Sequence, residues 1–433
     1  MTARPSPAVV FGVAAATLGI TAAAWAGGGG AALFDGGPQA ASIEARVGPG
    51  GLTVPASRFA CRTCHGRDGR GDREGGAAVP RIDPAALFAP ALGRSAYDAA
   101  SFAAALREGI APGGRRLDPL MPRYGVGEAD AAGLLARLAE MAEQERAGVT
   151  PDAVRVGVPD DADPDFAAAF RRAWLDRGDP RLHGRRLVVE PVGAGGEAGV
   201  LAVLFVTRPL EPGAAAQGAA LGAPVLFPVA PLRGGESQER VRGLFASRAD
   251  QVAVLLREAP AGAWLAADED GRALIEGALT PAGDARPVAG LDAVPPLSAG
   301  SVAVVAAGPE GWRRLETERR IAPGATLYGC LDDAAGAVAG LRRRGVRLVL
   351  ADPRPTRGAI GPNRPARERF AAAAAEVLEA ALAAAGRDLT RGGLVRALSR
   401  LAVEPPGWPA LDYGRVPLTG SREVRLIRLE PVP

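Results

Sequence analysis

Cys61-Arg62-Thr63-Cys64-His65 gathers two of the three cysteines and one of the two histidines of a 433-residue chain into five consecutive positions. Both residue types are scarce enough elsewhere that the grouping carries information. Its pattern is C-x-x-C-H, the spacing of covalent haem attachment. Two thiols one helical turn apart reach the two vinyl groups on one porphyrin edge, and the adjacent imidazole then lies under the iron as an axial ligand. Three other readings compete. A redox C-x-x-C opens a helix after a strand, and no strand-like run precedes Cys61. Zinc needs about four ligands, and too few His and Cys remain to supply them. Chance is disfavoured by rarity. The motif therefore predicts one covalent haem c, with thioethers at Cys61 and Cys64, no disulfide between them, and His65 on the iron.

The opposite axial position needs a second donor. Met121 lies in Leu117-Asp118-Pro119-Leu120-Met121-Pro122-Arg123-Tyr124, a non-helical turn suited to presenting a thioether. Met1 falls in the leader and Met141 at a core position of a helix-like run. The plainer reading of Met121 is a gap-filling core residue; the expectation is that it binds iron as the partner of His65. With both positions filled the iron has no open site, so the chain is expected to be an electron carrier and not a haem enzyme.

Around this motif the composition is skewed but balanced in charge. All 51 basic residues are arginine, against 48 acidic ones, and Gly and Pro number 58 and 38. No long single-sign run occurs, so a nucleic-acid-binding stripe is not expected. Arg58 to Arg146 contains 13 basic and 12 acidic residues, which argues against strong long-range steering of a partner.

Arg4 precedes an apolar stretch from Ala8 to Ala26 that ends in Ala24-Trp25-Ala26, the small-x-small form of a signal-peptide cleavage site. Residues 1–26 are read as a secretory signal, with an uncleaved anchor as the rival, and the protein is expected in the periplasm. Residues 27–50, rich in Gly, Ala and Pro, read as a linker. Residues 51–147 form a first domain with helix-like runs at Ala99–Glu108 and Glu128–Glu145. Residues 151–433 alternate strand-like runs (Val154–Val158, Arg186–Glu190, Gly199–Val206, Pro224–Val229, Trp264–Ala267, Val302–Ala306, Thr326–Cys330, Val346–Ala351) with helix-like ones, including Arg248–Glu258, Asp270–Leu279, Asp332–Arg344 and Arg367–Ala385. Asp163 reads as the cap of a helix carrying Phe166, Phe170 and Trp174. Repeated βα units predict parallel sheets flanked by helices, and the length predicts two lobes.

Residues 51–147 resemble the single-haem, class I cytochrome c family in Cys61–His65, in Gly66-Arg67-Asp68-Gly69-Arg70-Gly71, and in Ala105-Leu106-Arg107-Glu108-Gly109-Ile110 leading to Asp118-Pro119-Leu120-Met121-Pro122. The resemblance implies a small all-α domain around one haem c, with a proline carbonyl, here Pro80, orienting the proximal imidazole. The final helix departs from the family in lacking the aromatic residue at the helix crossing.

Residues 151–433 resemble type I periplasmic substrate-binding proteins of the leucine/isoleucine/valine class. The echo lies in Ala220–Pro228, in Ala246-Ser247-Arg248-Ala249-Asp250-Gln251 and in Ala385–Val395 with the last strand Val424–Leu429. It implies a two-lobed α/β periplasmic-binding-protein-like domain closing on a small-molecule ligand. The loops that would hold an amino acid read Thr207-Arg208-Pro209 and Ala230-Pro231-Leu232-Arg233, without the hydroxyl cluster of the family, and proline offers no N–H. Asp268 and Asp270 would be the second-lobe acids, or equally a helix start. His183 is read as a surface residue and Cys330 as a buried small one. The main expectation is thus an exported one-haem electron carrier serving periplasmic redox proteins, such as a quinoprotein dehydrogenase or a terminal oxidase, with a degenerate binding domain used for docking. The alternative is a ligand-binding or sensory protein whose haem domain reports on binding.

Overall fold

A computed structural model of the chain describes residues 28–48, 51–71, 73–74, 77–91, 93–160, 162, 164–193, 199–206, 222–233, 240–279, 287–318, 320–354 and 366–432. The signal segment, the Thr207-Arg208-Pro209 loop and the Asp163 cap lie outside the described residues. The chain divides into two units, one ending at Ala142 and the other beginning at Glu143.

The first unit contains α1 (Gly28–Asp35), β1 (Glu44–Val47), β2 (Leu52–Pro55), α2 (Cys61–His65), the β3 (Arg73–Glu74) and β4 (Ala77–Ala78) hairpin, α3 (Pro84–Leu87), α4 (Ala99–Glu108), β5 (Arg123–Tyr124) and α5 (Glu128–Glu145), the last crossing the division. Helix α4 begins at a reciprocal cap, Asp98 accepting from the Ser101 N–H while the Ser101 hydroxyl serves the Asp98 N–H, and it ends on Gly109 in the left-handed conformation that glycine adopts without a Cβ penalty. Helix α5 buries Leu134, Leu138 and Met141 as one stripe, the 3.6-residue period of an amphipathic helix.

Two expectations for this region are corrected. The unit is not all-α: β2, β1 and β5 form an antiparallel sheet, and β2 lies shortly before the helix that Cys61 opens, so a strand does precede the cysteine motif. Ala45 of β1, fully buried, lies opposite Tyr124 of β5, and this pairing closes the unit where helices alone were anticipated. Nor is 27–50 a linker. Leu33 and Phe34 are almost completely buried in the core that also holds Cys61, Leu106 and Leu138. Burying two large apolar side chains contributes roughly 3–6 kcal/mol, enough to hold a glycine-rich start in a helix.

The second unit starts with β6 (Ala153–Pro159), α6 (Pro164–Asp176), β7 (Arg186–Val192), β8 (Ala202–Leu204), β9 (Val225–Leu226) and β10 (Val241–Arg242). These strands form an all-parallel sheet in the order β10-β9-β8-β6-β7. A second sheet comprises β11 (Trp264–Ala267), β12 (Val288–Gly290), β13 (Val302–Ala306), β14 (Thr326–Cys330) and β15 (Arg347–Asp352), all parallel. The short pair β16 (Ala402–Val403) and β17 (Leu411–Asp412) follows, then β18 (Arg425–Leu429), which adds antiparallel to β15.

The path between the sheets makes this unit two-lobed. After β15 the helix Ala366–Ala385 returns to the first sheet. There Phe370, Val377, Leu378 and Leu382 join Phe170, Trp174 and Phe205 in one core. The buried face of that helix is otherwise alanine (Ala371, Ala374, Ala375 and Ala381), which permits close approach to α6, and Arg177 of the α6 end pairs with Glu376 and Glu379 along its edge. The chain then crosses back to place β18. The parallel α/β architecture expected from the alternating runs is present. The single helix anticipated over Asp332–Arg344 is instead two, Leu331–Ala334 and Val338–Arg343. Among the described residues no helix is long and apolar enough to cross a membrane.

Candidate functional site

Helix α2 presents the C-x-x-C-H residues in a single turn. Cys61 and His65 are buried and Cys64 is half-buried; all three cysteines of the chain are thiols. Burial pushes the Cys61 thiol up to about 12, so it is held protonated. The His65 ring donates from Nδ1 to the Pro80 carbonyl at 2.8 Å. With the proton on Nδ1, Nε2 keeps its lone pair as the coordinating atom. Pro80 is brought there by a tight fold of the intervening loop. The Gly71 N–H donates to the His65 carbonyl at 2.8 Å, and the Ile82 and Asp83 N–H groups both donate to the Gly69 carbonyl. Gly71 has φ +76°, and a Cβ there would lie 2.2 Å from the Val79 carbonyl oxygen. Only glycine lets the two strands of this loop meet.

Met121 occupies a turn closed by its own N–H donating to the Asp118 carbonyl at 3.1 Å, with the Asp118 carboxylate accepting from the Leu120 N–H at 2.9 Å. It is half-buried and packs on the apolar cluster that contains Cys61. Three residues on, the Tyr124 hydroxyl donates to the Phe59 carbonyl at 2.7 Å, just before the cysteine turn. The first unit therefore supplies two thiols on one helical turn, an imidazole of fixed tautomer and a thioether beside the same core. This donor set fits haem c. It does not fit structural zinc: among the described residues no group of three or more His, Cys, Asp or Glu side chains is placed to hold a metal ion.

In the second unit, charged groups gather at the carboxyl ends of the second sheet, the edge at which open parallel sheets carry their ligands. Asp268, directly after β11, accepts from the Gly271 and Gly308 N–H groups, each at 2.7 Å. It joins the starts of two helices, which realises the helix-start reading of this residue. Asp270 pairs with Arg233 at 2.7 Å; the second-lobe acid and the 230–233 loop thus meet, and they neutralise each other. Sequence reasoning missed the rest. Past β14, Asp333 pairs with Arg248 at 2.5 Å and Asp332 with Arg354 at 2.7 Å. At the end of β15, Asp352 holds Arg354 and Arg425, each at 2.7 Å. Burial pushes the Asp333 carboxyl up to about 6, against the pull of Arg248. The available signal was positional: each aspartate stands at or just after the end of an apolar run.

The described ends of the first sheet carry rings instead of hydroxyls. Phe205 after β8 and Phe227 after β9 are fully buried, with φ of +59° and +56°, a region that costs bulky residues about 1–3 kcal/mol each. Phe205 lies against Phe166, Phe170 and Phe370, at centroid distances of 6.0, 5.3 and 5.9 Å. His183 is exposed, with Nε2 3.3 Å from the Ala383 carbonyl. Cys330 ends β14 and is the buried small residue anticipated; burial pushes its thiol up to about 12.

No protein-family model matches the sequence, and no curated protein matches it either. Solved structures do. A substrate-binding periplasmic protein from Ralstonia solanacearum aligns over 64% of this chain and 96% of its own, at 16% identity and a TM-score of 0.45. A fatty acid ABC transporter substrate-binding protein from Thermomonospora curvata aligns over 66% and 90%, at 13% identity and a TM-score of 0.48. A possible leucine/isoleucine/valine-binding protein from Rhodopirellula baltica aligns over 64% and 95%, at 13% identity and a TM-score of 0.45.

Proposed function

We propose that this chain is an exported c-type cytochrome that passes single electrons between periplasmic redox proteins, with a two-lobed binding-protein-like unit attached. Cys61 and Cys64 attach the haem through thioethers, and His65 and Met121 hold its iron. When bound, the haem supplies a reversible one-electron change at iron, with a potential raised by the thioether ligand. The chain's own residues do the rest. Pro80 fixes the tautomer and plane of His65, Gly71 lets Pro80 reach it, and the turn 118–121 sets the reach of Met121. The observation that carries this reading is the 2.8 Å bond from His65 Nδ1 to Pro80, because it prepares Nε2 for coordination. The reading is tested by expressing the full chain in a host competent for cytochrome c maturation. Pigment that resists acidified organic solvent, and that is lost when Cys61 and Cys64 are both changed to alanine, supports it. A colourless product, or pigment removed by the solvent, refutes it.

A second reading, solute binding by the two lobes, is favoured by the charged groups at the carboxyl ends of β11, β14 and β15. Arg233 and Arg248, exchanging their partners Asp270 and Asp333 for a small carboxylate-bearing ligand, would then hold it, and the haem unit would report on lobe closure. A thermal-shift panel of branched-chain amino acids and hydroxylated benzoic acids tests it. A rise in melting temperature that is abolished by Arg248→Ala supports solute binding; a flat panel leaves the unit a docking platform.

A further inference from the structure

Arg123 is the residue around which the Met121 turn is built. From Nη1 it donates to the Met121 carbonyl, and from Nη2 to the carbonyls of Leu117 at 3.3 Å and Asp118 at 3.2 Å. One planar guanidinium thus closes both ends of the segment 117–121, and no other side chain has the rigid fork needed to serve three carbonyls at once. Its backbone is fixed independently, since Arg123 lies in β5 opposite Arg46 of β1. Gly109 makes the room: a Cβ there would lie 2.4 Å from Arg123 Nε, while the Gly109 carbonyl accepts from the Leu117 N–H at 2.8 Å. The α4 terminus, the guanidinium and the turn form one assembly, joined to the sheet at one end and to Met121 at the other.

The geometry points to Arg123 as a positioning residue for the Met121 thioether: it holds the loop that carries the sixth ligand shut, and so governs how readily an outside ligand displaces Met121. This rests on the haem reading above. The test uses the full chain matured with haem, comparing wild type, Arg123→Lys and Arg123→Leu. Three measurements are made on each: solvent-resistant pigment, the far-red band of a methionine–iron bond in the oxidised form, and the imidazole concentration that half-displaces that band. The variants are expected to keep covalent pigment and the far-ultraviolet helical signal. Half-displacement is expected at about tenfold lower imidazole in Arg123→Lys, the effect of losing one to two modest hydrogen bonds, and the band is expected to be lost in Arg123→Leu together with a fall in reduction potential. Folded variants whose band, imidazole midpoint and potential all equal wild type overturn the assignment. Wild type without covalent pigment overturns the haem reading beneath it, and wild type with pigment but no far-red band removes Met121 as the ligand.

Discussion

The Tyr124 hydroxyl donates to the Phe59 main-chain carbonyl at 2.7 Å, joining strand β5, which follows the Met121 turn, to the residues that enter the cysteine helix. Tyr124 is buried, and burial raises its phenol above the usual range, so the group is a permanent donor. Replacing it with phenylalanine keeps the ring and strands the Phe59 carbonyl. Tyr124→Phe is expected to destabilise the first unit by about 1–2 kcal/mol, read as a lower urea midpoint. An unchanged midpoint would show that the carbonyl finds water instead.

Gly71 supports a sharper prediction. An alanine there would carry both the strain of φ +76° and a Cβ at 2.2 Å from Val79 O and 3.0 Å from Pro80 O. The loop has to open, and Pro80 moves away from His65. Gly71→Ala is expected to cost about 1–3 kcal/mol. In the haem-loaded chain it should also raise the reduction potential, because an imidazole without its Nδ1 partner is a weaker donor to the oxidised metal. A redox titration decides: an unchanged potential in a folded variant separates Pro80 from the tuning of His65.

Much of the second unit was legible because parallel strands covered on both faces are uninterrupted apolar runs. Trp264–Ala267, Val302–Ala306 and Thr326–Cys330 have the same bounds in sequence and structure. The first unit was less so. Strand β5 is two residues long and is defined by its partner Ala45–Arg46, not by its own pattern. Helix α1 begins with three glycines, whose propensity opposes a helix, and forms because Leu33 and Phe34 find a core. The site divided in the same way. Cys61, Cys64 and His65 are neighbours in sequence, whereas the grip of Arg123 on the 117–121 carbonyls and the pairing of Arg248 with Asp333 depend on where separate elements meet.

Asp268 gives a prediction that separates architecture from ligand binding. Its two oxygens each serve a helix start, at Gly271 and Gly308. Asp268→Ala loses both bonds and is expected to cost about 2–3 kcal/mol, while Asp268→Asn retains one acceptor and costs about half as much. Thermal melts of the two variants without any added solute test this. Variants as stable as wild type would free Asp268 for recognition of a ligand.

Asp333 is expected to make the stability of the second lobe depend on pH. It is 5% exposed, and burial lifts its carboxyl to about 6; the neighbouring Asp332 and Asp268 add to the rise, and Arg248 opposes it. In the unfolded chain an aspartate titrates near 3.9. The folded state therefore holds the proton more tightly, and folding takes up a proton between about pH 4 and pH 6. Stability from this group is fully present below that window and falls as pH rises through it. The loss by neutral pH is on the order of 3 kcal/mol. Asp333→Asn cannot take up the proton but still offers Arg248 an amide oxygen. Urea unfolding of both proteins at about pH 4.5 and about pH 7 should show wild type losing more stability than the variant between the two conditions. Parallel losses would mean that the Arg248 pair compensates the burial and that the carboxylate is charged throughout.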